Sequence, residues 1–152
     1  MDQADDPHPP AGRFVGAEHH FPVRVYFEDT DLSGVVYHAN YLRYMERARS
    51  DMLRVAGIDQ RGTFDRGEGV YAVADIGIRY LRPARLDDAL VVVSRLKEFR
   101  AATCLIHQTV RRGREILTEA DVLAAFLTPS GRPKRQPPEW IAIFERLTPE
   151  GN

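Results

Sequence analysis

The stretch that decides the fold of this chain is Val25-Tyr-Phe-Glu-Asp-Thr-Asp-Leu-Ser-Gly-Val-Val-Tyr-His-Ala-Asn-Tyr41. It sets Asp31 in a Gly-containing loop that leads directly into a strongly amphipathic helix. Free backbone N–H groups and the positive end of the helix dipole gather at such a point, so a developing oxyanion could be stabilised beside a carboxylate. Asp31 is therefore the candidate catalytic residue. The alternative for Asp31 is an Asx turn or a helix-entry cap.

The rest of the chain predicts a curled sheet around that helix. Apolar residues recur at three- and four-residue steps over residues 40–56, which predicts one long helix, and Gly57 stands where a C-terminal cap belongs. Strand-like runs cover residues 21–27, 70–81, 89–99, 103–111 and 115–128. Short turns between consecutive runs indicate antiparallel pairing. The predicted fold class is α+β, with a curled antiparallel sheet of about five strands wrapped around one long helix.

Both ends of the chain are predicted to lie outside the folded domain. Residues 1–20 are rich in Pro and Gly without apolar periodicity, which predicts a mobile tail, with His19 and His20 solvated beside it. Residues 21–147 form the single domain, and a short helix within residues 139–147 docks on it. Residues 148–152 are predicted to be a C-terminal tail.

The composition of the chain argues against several classes of function. The chain has 152 residues, with 21 basic and 22 acidic side chains and a net charge of −1, so nothing global favours nucleic acid or an anionic membrane surface. Cys104 is the only cysteine, which excludes an internal disulfide and a cysteine-based zinc site and fits a reducing cytoplasm. No run approaches the ~20 apolar residues of a membrane helix. A cytoplasmic protein without membrane insertion is expected.

Three motifs resemble one known family. They are Glu28-Asp-Thr-Asp31, Gly34-Val-Val-Tyr-His-Ala-Asn-Tyr41 and Glu46-Arg-Ala-Arg49. They resemble the hot-dog-fold acyl-CoA thioesterases, in particular the Tol-Pal-associated, 4-hydroxybenzoyl-CoA-thioesterase-like branch, and the likeness covers roughly residues 22 to 145. The resemblance implies a hot-dog fold and hydrolysis of an acyl-CoA to a free acid and coenzyme A. It also implies no metal or bound cofactor, and a homodimer or homotetramer with substrate at the subunit boundary.

The resemblance also implies roles for the residues around Asp31. Asp31 would be the nucleophile or the general base, and the backbone N–H at His38 would polarise the thioester carbonyl, although the His38 side chain could instead act as an acid. Gly34 would let the loop adopt a special conformation or let substrate approach closely. Tyr37 and Asn40 would shape the substrate site, and Asn40 could equally be only a helix cap.

Two further residues are candidates for substrate binding. Glu46 lies where the hydroxybenzoyl branch carries a carboxylate in its acyl pocket, and the alternative is a surface ion pair. Arg100 follows an aromatic residue at the position where the family places bases that contact the coenzyme A phosphates, and the alternative is a solvated charge. The next two positions, which are often basic or small in relatives, are Ala101 and Ala102, so Arg100 is left as the candidate phosphate contact.

The sequence leaves several questions open. The acyl group could be carried by coenzyme A or by an acyl carrier protein, and its chain length is not encoded in any motif. A non-catalytic protein that binds acyl-CoA or an acyl carrier, or an interaction protein of the cell-envelope or lipid-synthesis machinery, is the alternative function on the same fold.

Overall fold

The computed structural model describes residues 5–148. Its elements in chain order are β1 (Arg13–Val15), β2 (Glu18–Arg24), α1 (Asn40–Val55), α2 (Gln60–Asp65), β3 (Val70–Tyr80), β4 (Ala89–Phe99), β5 (Thr103–Arg112), β6 (Glu115–Leu127) and α3 (Pro138–Leu147). A 3-10 turn at Phe27–Asp29 begins the loop before α1. Within residues 5–148, no helix is long and apolar enough to cross a membrane.

All six strands belong to one antiparallel sheet with the order β1-β2-β4-β5-β6-β3. Helix α1 packs on β2, β4 and β5. Strand β3 lies at one edge beside β6, and β1 lies at the other edge beside β2. The predicted α+β architecture, an antiparallel sheet around one long helix, is confirmed. The sheet has six strands where about five were predicted.

The additional strand comes from the N-terminal segment. β1 pairs with β2 through Phe14 and His19, so the predicted mobile tail of residues 1–20 is wrong from Arg13 onward. The first predicted strand, residues 21–27, instead begins at Glu18 and ends at Arg24. A three-residue strand is too short to show a period of two, which is why the sequence pattern missed it.

His19 is the residue that explains why this segment is ordered. The prediction of a solvated side chain is wrong, because His19 is fully buried and its Nε2 lies 2.7 Å from Oδ2 of Asp51 on α1. The same carboxylate oxygen accepts the N–H of Gly12 at 2.8 Å. A Cβ at position 12 would lie 2.7 Å from the His19 ring, so only glycine fits there. Asp51 is 32 residues away from His19, which no local pattern reveals.

The core contains two apolar clusters, and α1 contributes to both. Its first half packs with strand residues; the buried members include Val25, Tyr44, Met45, Leu90, Val92 and Val110. Its second half packs with α3; the buried members include Met52, Leu53, Leu96, Phe126, Trp140 and Phe144. The docked C-terminal helix is thus confirmed, and of the predicted tail 148–152 only Thr148 lies within the described residues. This packing fixes the N-terminus of α1 beside the loop that carries Asp31.

Candidate active site

A tight turn presents the carboxylate of Asp31. Its Oδ1 accepts hydrogen bonds from the backbone N–H of Ser33 at 2.8 Å and from the Ser33 hydroxyl at 2.6 Å. The backbone closes the turn with bonds from Asp31 N–H to Val35 C=O and from Gly34 N–H to Asp31 C=O. Gly34 has φ of +82°, a left-handed conformation that favours glycine. The Asx turn weighed from sequence is therefore present.

The Asx turn engages only one oxygen of the Asp31 carboxylate. Both bonds from Ser33 end on Oδ1, and Oδ2 has no hydrogen-bond partner within residues 5–148. The Ser33 hydroxyl and then the Ser33 backbone N–H hold the pKa of Asp31 below its ordinary value. Asp31 is exposed and ionised at neutral pH. The turn thus orients the group and leaves one anionic oxygen free to attack or to accept a proton.

The N-terminus of α1 offers unpaired donors beside this loop. The N-cap residue is Ala39, whose methyl side chain cannot accept a hydrogen bond, and the first turn carries no acidic residue. The N–H groups of His38 and Ala39 donate to no acceptor in the described part of the chain. Such N–H groups and the helix dipole together favour negative charge. This arrangement can stabilise an oxyanion.

Asp29 and Asn40 hold the two ends of the loop together. The Asp29 carbonyl accepts the Tyr37 N–H and the Asn40 side-chain amide, each at 2.9 Å. The Asp29 carboxylate accepts the Tyr26 N–H at 2.8 Å. Both Asp29 and Asn40 are buried. Asn40 is the first residue of α1 and braces the loop, so it is not the helix cap.

A second brace joins the loop to the turn between β3 and β4. The N–H of Val36 donates to Ala84 C=O at 2.9 Å, and the N–H of Ala84 donates to the Tyr41 hydroxyl at 2.9 Å. Tyr41 is a buried residue of the first turn of α1. Sequence reasoning missed Tyr41 and Ala84 as positioning residues, because the contacts join segments more than forty residues apart.

The structure brings four of the predicted site residues into one cavity. Asp31, Gly34, Tyr37 and Asn40 line it together with Ala39 of the uncapped helix end. We call this the loop cavity. The carboxylate and the helix start therefore face the same space, as a hydrolytic site requires.

The side chain of His38 points elsewhere. Its ring centroid lies 4.5 Å from that of Tyr37 and 6.1 Å from that of Tyr80, and it does not line the loop cavity. The His38 carbonyl accepts the Tyr80 hydroxyl at 3.0 Å. Both roles left open for His38, the backbone N–H and the imidazole, stay predictions.

A second cavity of about 440 Å³ lies between α1 and the sheet, and we call it the helix–sheet cavity. Its apolar lining includes Leu42, Met52, Ile76, Leu96, Ile106 and Phe144, and its polar lining includes Arg43, Glu46 and Arg49. Arg43 lines both cavities, so the two adjoin. The cavity is large enough for an acyl group and adjoins the cavity that Asp31 lines.

Comparison with known proteins decides the family. A family model described as "Thioesterase-like superfamily" matches residues 25–144. The chain belongs to this superfamily. It is 39% identical over 128 residues to an acyl-CoA thioesterase, YbgC, of Haemophilus influenzae, covering 84% of this chain and 94% of that protein. It is 35% identical to the acyl-CoA thioester hydrolase YbgC of an Escherichia coli strain, covering 83% of this chain and 95% of that one.

A solved structure gives the same result. The crystal structure of a probable thioesterase from Bartonella henselae superposes with a TM-score of 0.75 at 35% identity, covering 79% of this chain and 99% of that chain. The predicted hot-dog fold is thereby confirmed. The chain is a thioester hydrolase of the thioesterase-like superfamily.

Glu46 and Arg100 occupy different environments in this thioesterase. Glu46 lines the helix–sheet cavity and has no ion-pair partner within 4.0 Å in residues 5–148, so the surface ion pair is not found there. Arg100 lies in the turn between β4 and β5, exposed, with its Nε 3.6 Å from Glu98. Arg100 lines neither cavity. Its contact with a coenzyme A phosphate stays a prediction.

Cys104 is not a second nucleophile of the thioesterase. Burial raises the pKa of its thiol to about 12, and its Sγ lies 3.2 Å from the side-chain oxygen of Gln136. A thiol of that pKa is protonated at neutral pH and unreactive. Among residues 5–148, no group of three or more His, Cys, Asp or Glu side chains could hold a metal ion.

Proposed function

We propose that this thioesterase hydrolyses an acyl-CoA to a free acid and coenzyme A in the cytoplasm, with Asp31 as nucleophile or general base. One observation carries the proposal. Asp31, whose ionised carboxylate keeps Oδ2 without a hydrogen bond in residues 5–148, lines the same cavity as Ala39 at the uncapped N-terminus of α1. The names of the two YbgC relatives support the choice of acyl-CoA as the substrate class.

The chemistry follows from these groups in two alternative ways. The thioester carbonyl oxygen accepts the N–H groups of His38 and Ala39, which stabilise the negative charge that develops on that oxygen. In one route Asp31 Oδ2 attacks the carbonyl carbon, the C–S bond breaks, the thiolate leaves, and water then hydrolyses the resulting anhydride. In the other route Asp31 takes a proton from water, and the resulting hydroxide attacks the carbonyl carbon. The C–S bond breaks, and the leaving thiolate takes up a proton.

The two cavities divide the substrate between them. The thioester lies in the loop cavity, and the acyl group extends past Arg43 into the helix–sheet cavity, where Glu46 contributes to the lining. Tyr37 and Gly34 line the path of the pantetheine arm. Arg100 contacts the nucleotide phosphates. An acyl carrier protein presents the same pantetheine thioester, so it is the alternative carrier.

We also propose that the enzyme is a homo-oligomer, a dimer or a tetramer, that pairs through β3. Within residues 5–148, β3 bonds to β6 on one side only, and its other side is an open edge. Exposed apolar residues on or next to it include Val73, Tyr80 and Leu81. Open edges are normally covered, and a second copy of β3 would extend the sheet across the subunit boundary.

Steady-state thiol release tests the function. The purified full chain is assayed with coenzyme A thioesters of short, medium, long and aromatic acyl groups. Turnover of at least one thioester, with stoichiometric free acid and thiol, is expected. Saturable binding of acyl-CoA without thiol release would instead establish the non-catalytic binding protein.

A further inference from the structure

Arg49 is a cation built into the wall of the helix–sheet cavity. Its Nη1 donates to the side-chain oxygen of Gln108 at 3.0 Å. Gln108 is fully buried, and its amide nitrogen donates to the Met45 carbonyl at 3.0 Å and to the Ser94 hydroxyl at 2.9 Å. This chain of bonds between buried groups fixes the orientation of Gln108, and Gln108 fixes Arg49.

The guanidinium makes no ion pair within the described residues. It has five N–H donors, of which one is used by Gln108, and no carboxylate lies within 4.0 Å of it in residues 5–148. Glu46 is one turn away along α1 and lines the same cavity. Burial lowers the pKa of Arg49, and the Glu46 carboxylate partly opposes this shift. A desolvated cation of this kind gains most from an anionic ligand with two oxygens.

We propose that Arg49 is a specificity-determining residue that binds a carboxylate at the distal end of the acyl group, so that the preferred substrates are monothioesters of dicarboxylic acids. This inference rests on the proposed acyl-CoA hydrolysis. The thioester would lie at the start of α1 and the distal carboxylate at Arg49, with the apolar lining of the cavity around the methylene groups between them.

The distance along α1 between its start and Arg49 sets the length of the acyl group that fits. Arg49 follows Asn40 by nine residues in the helix, a rise of about 14 Å at 1.5 Å per residue. Helical side chains lean toward the N-terminus, which shortens the span to roughly 9–10 Å. An extended chain advances about 1.2 Å per bond, so an acyl group of about eight carbons fits.

The test compares two coenzyme A thioesters that differ only at the distal end: octanoyl-CoA and the monothioester of octanedioic acid. Wild-type enzyme should prefer the dicarboxylic thioester in kcat/KM by at least about tenfold, the scale of a charge-assisted bidentate bond. Arg49→Met keeps an unbranched side chain without charge. It should lower kcat/KM for the dicarboxylic thioester by roughly 10- to 100-fold and leave octanoyl-CoA within about threefold.

Two further variants make the comparison specific. Arg49→Lys keeps the charge but not the planar fork, so it should recover only part of the preference. Arg47→Met removes the same charge from an exposed position of α1 that does not line the cavity, and it should change neither rate. Melting temperatures establish that each variant is folded.

Three outcomes would overturn the inference. Equal wild-type rates on both thioesters would leave acyl-CoA hydrolysis standing and remove the carboxylate subsite. An equal loss on both thioesters in Arg49→Met would show that Arg49 is structural, for example paired with a carboxylate of a second copy. Hydrolysis of no thioester by the wild type would reject the proposed function itself, and the inference with it.

Discussion

Ser33 controls the protonation of Asp31, because its hydroxyl and its backbone N–H both donate to Oδ1. Both bonds favour the ionised form and place the pKa of Asp31 below its ordinary value of 3.8. The carboxylate is the active form in either route. It is present at any pH above that lowered pKa and is lost only as the pH falls through it.

The lowered pKa of Asp31 predicts how kcat/KM depends on pH on the acid side of the profile. Between pH 5 and 8, kcat/KM should show no loss that is due to protonation of Asp31. Ser33→Ala removes the largest cause of the shift, so any acid limb should move toward higher pH in that variant. The measurement is kcat/KM over the pH range in buffers of constant ionic strength. An acid limb that disappears in His38→Ala would assign the essential base to His38.

The His38 side chain should matter little for turnover. Its ring packs at a tilt against Tyr37 and edge-on against Tyr80. His38→Ala retains the backbone N–H, so kcat should fall by less than about tenfold, well short of the loss of an oxyanion donor. Thiol release at saturating substrate measures the effect. A hundredfold loss of kcat in a folded variant would contradict the backbone assignment.

The predictable part of the site is the part that is local in sequence. Asp31, Gly34, Tyr37 and Asn40 lie within ten residues of one loop, so a single motif locates them together. Arg49 escaped prediction because its orientation depends on Gln108, 59 residues further along the chain. The imidazole of His38 could not be placed either, since its orientation depends on Tyr80 in β3.

At the level of elements, the N-terminal hairpin is attached to α1 through one buried carboxylate. Asp51 accepts the Gly12 N–H and contacts His19, while Phe14 packs edge-on against the His19 ring at 5.3 Å. Residues 5–8 are exposed. The hairpin is therefore part of the folded domain from about Gly12.

Two truncations test this boundary. Deletion of residues 1–17 removes β1 and the Gly12 donor and exposes the His19–Asp51 pair, at a cost of roughly 1–3 kcal/mol in the free energy of unfolding. For a domain of this size the melting temperature should fall by roughly 3–10 °C. Deletion of residues 1–8 is the control and should change it by less than about 2 °C. Equal melting temperatures for the two truncated proteins would show that the hairpin contributes nothing.

Periodicity predicted the long elements and missed the shortest strand, β1. The apolar repeat of α1 and the long runs of β3 to β6 are visible in sequence, because many residues report the same period. β1 has three residues and contains no such signal. Contacts of His19 with residues distant in sequence stabilise the sixth strand, so only the structure shows it.

At the level of the whole molecule, the open edge of β3 predicts an oligomer. The mass in solution should be a multiple of 17.3 kDa, measured by light scattering across micromolar concentrations. Ala74 is an exposed bulge residue of β3 that has no partner on β6. Ala74→Pro should be compatible with the bulge, remove an edge N–H and shift the protein toward monomer. A wild-type mass of 17.3 kDa throughout the range would reject the oligomer.

Asp31→Asn tests most directly whether the carboxylate of Asp31 carries the hydrolysis. Asparagine keeps the size of the side chain and can still accept the Ser33 bonds, so the fold and the KM should change little. The variant should lose kcat by at least about 100-fold, the usual scale for a positioned base or nucleophile.

Ser33→Ala serves as the matched control, because it perturbs the same turn and leaves the carboxylate in place. Its kcat should stay within about tenfold of the wild type. The decisive quantity is the ratio of kcat in Asp31→Asn to kcat in the wild type, for an acyl-CoA that the wild type hydrolyses. A ratio of about 0.01 or lower is predicted. A ratio near that of Ser33→Ala would show that Asp31 only caps the turn, and would contradict the mechanism.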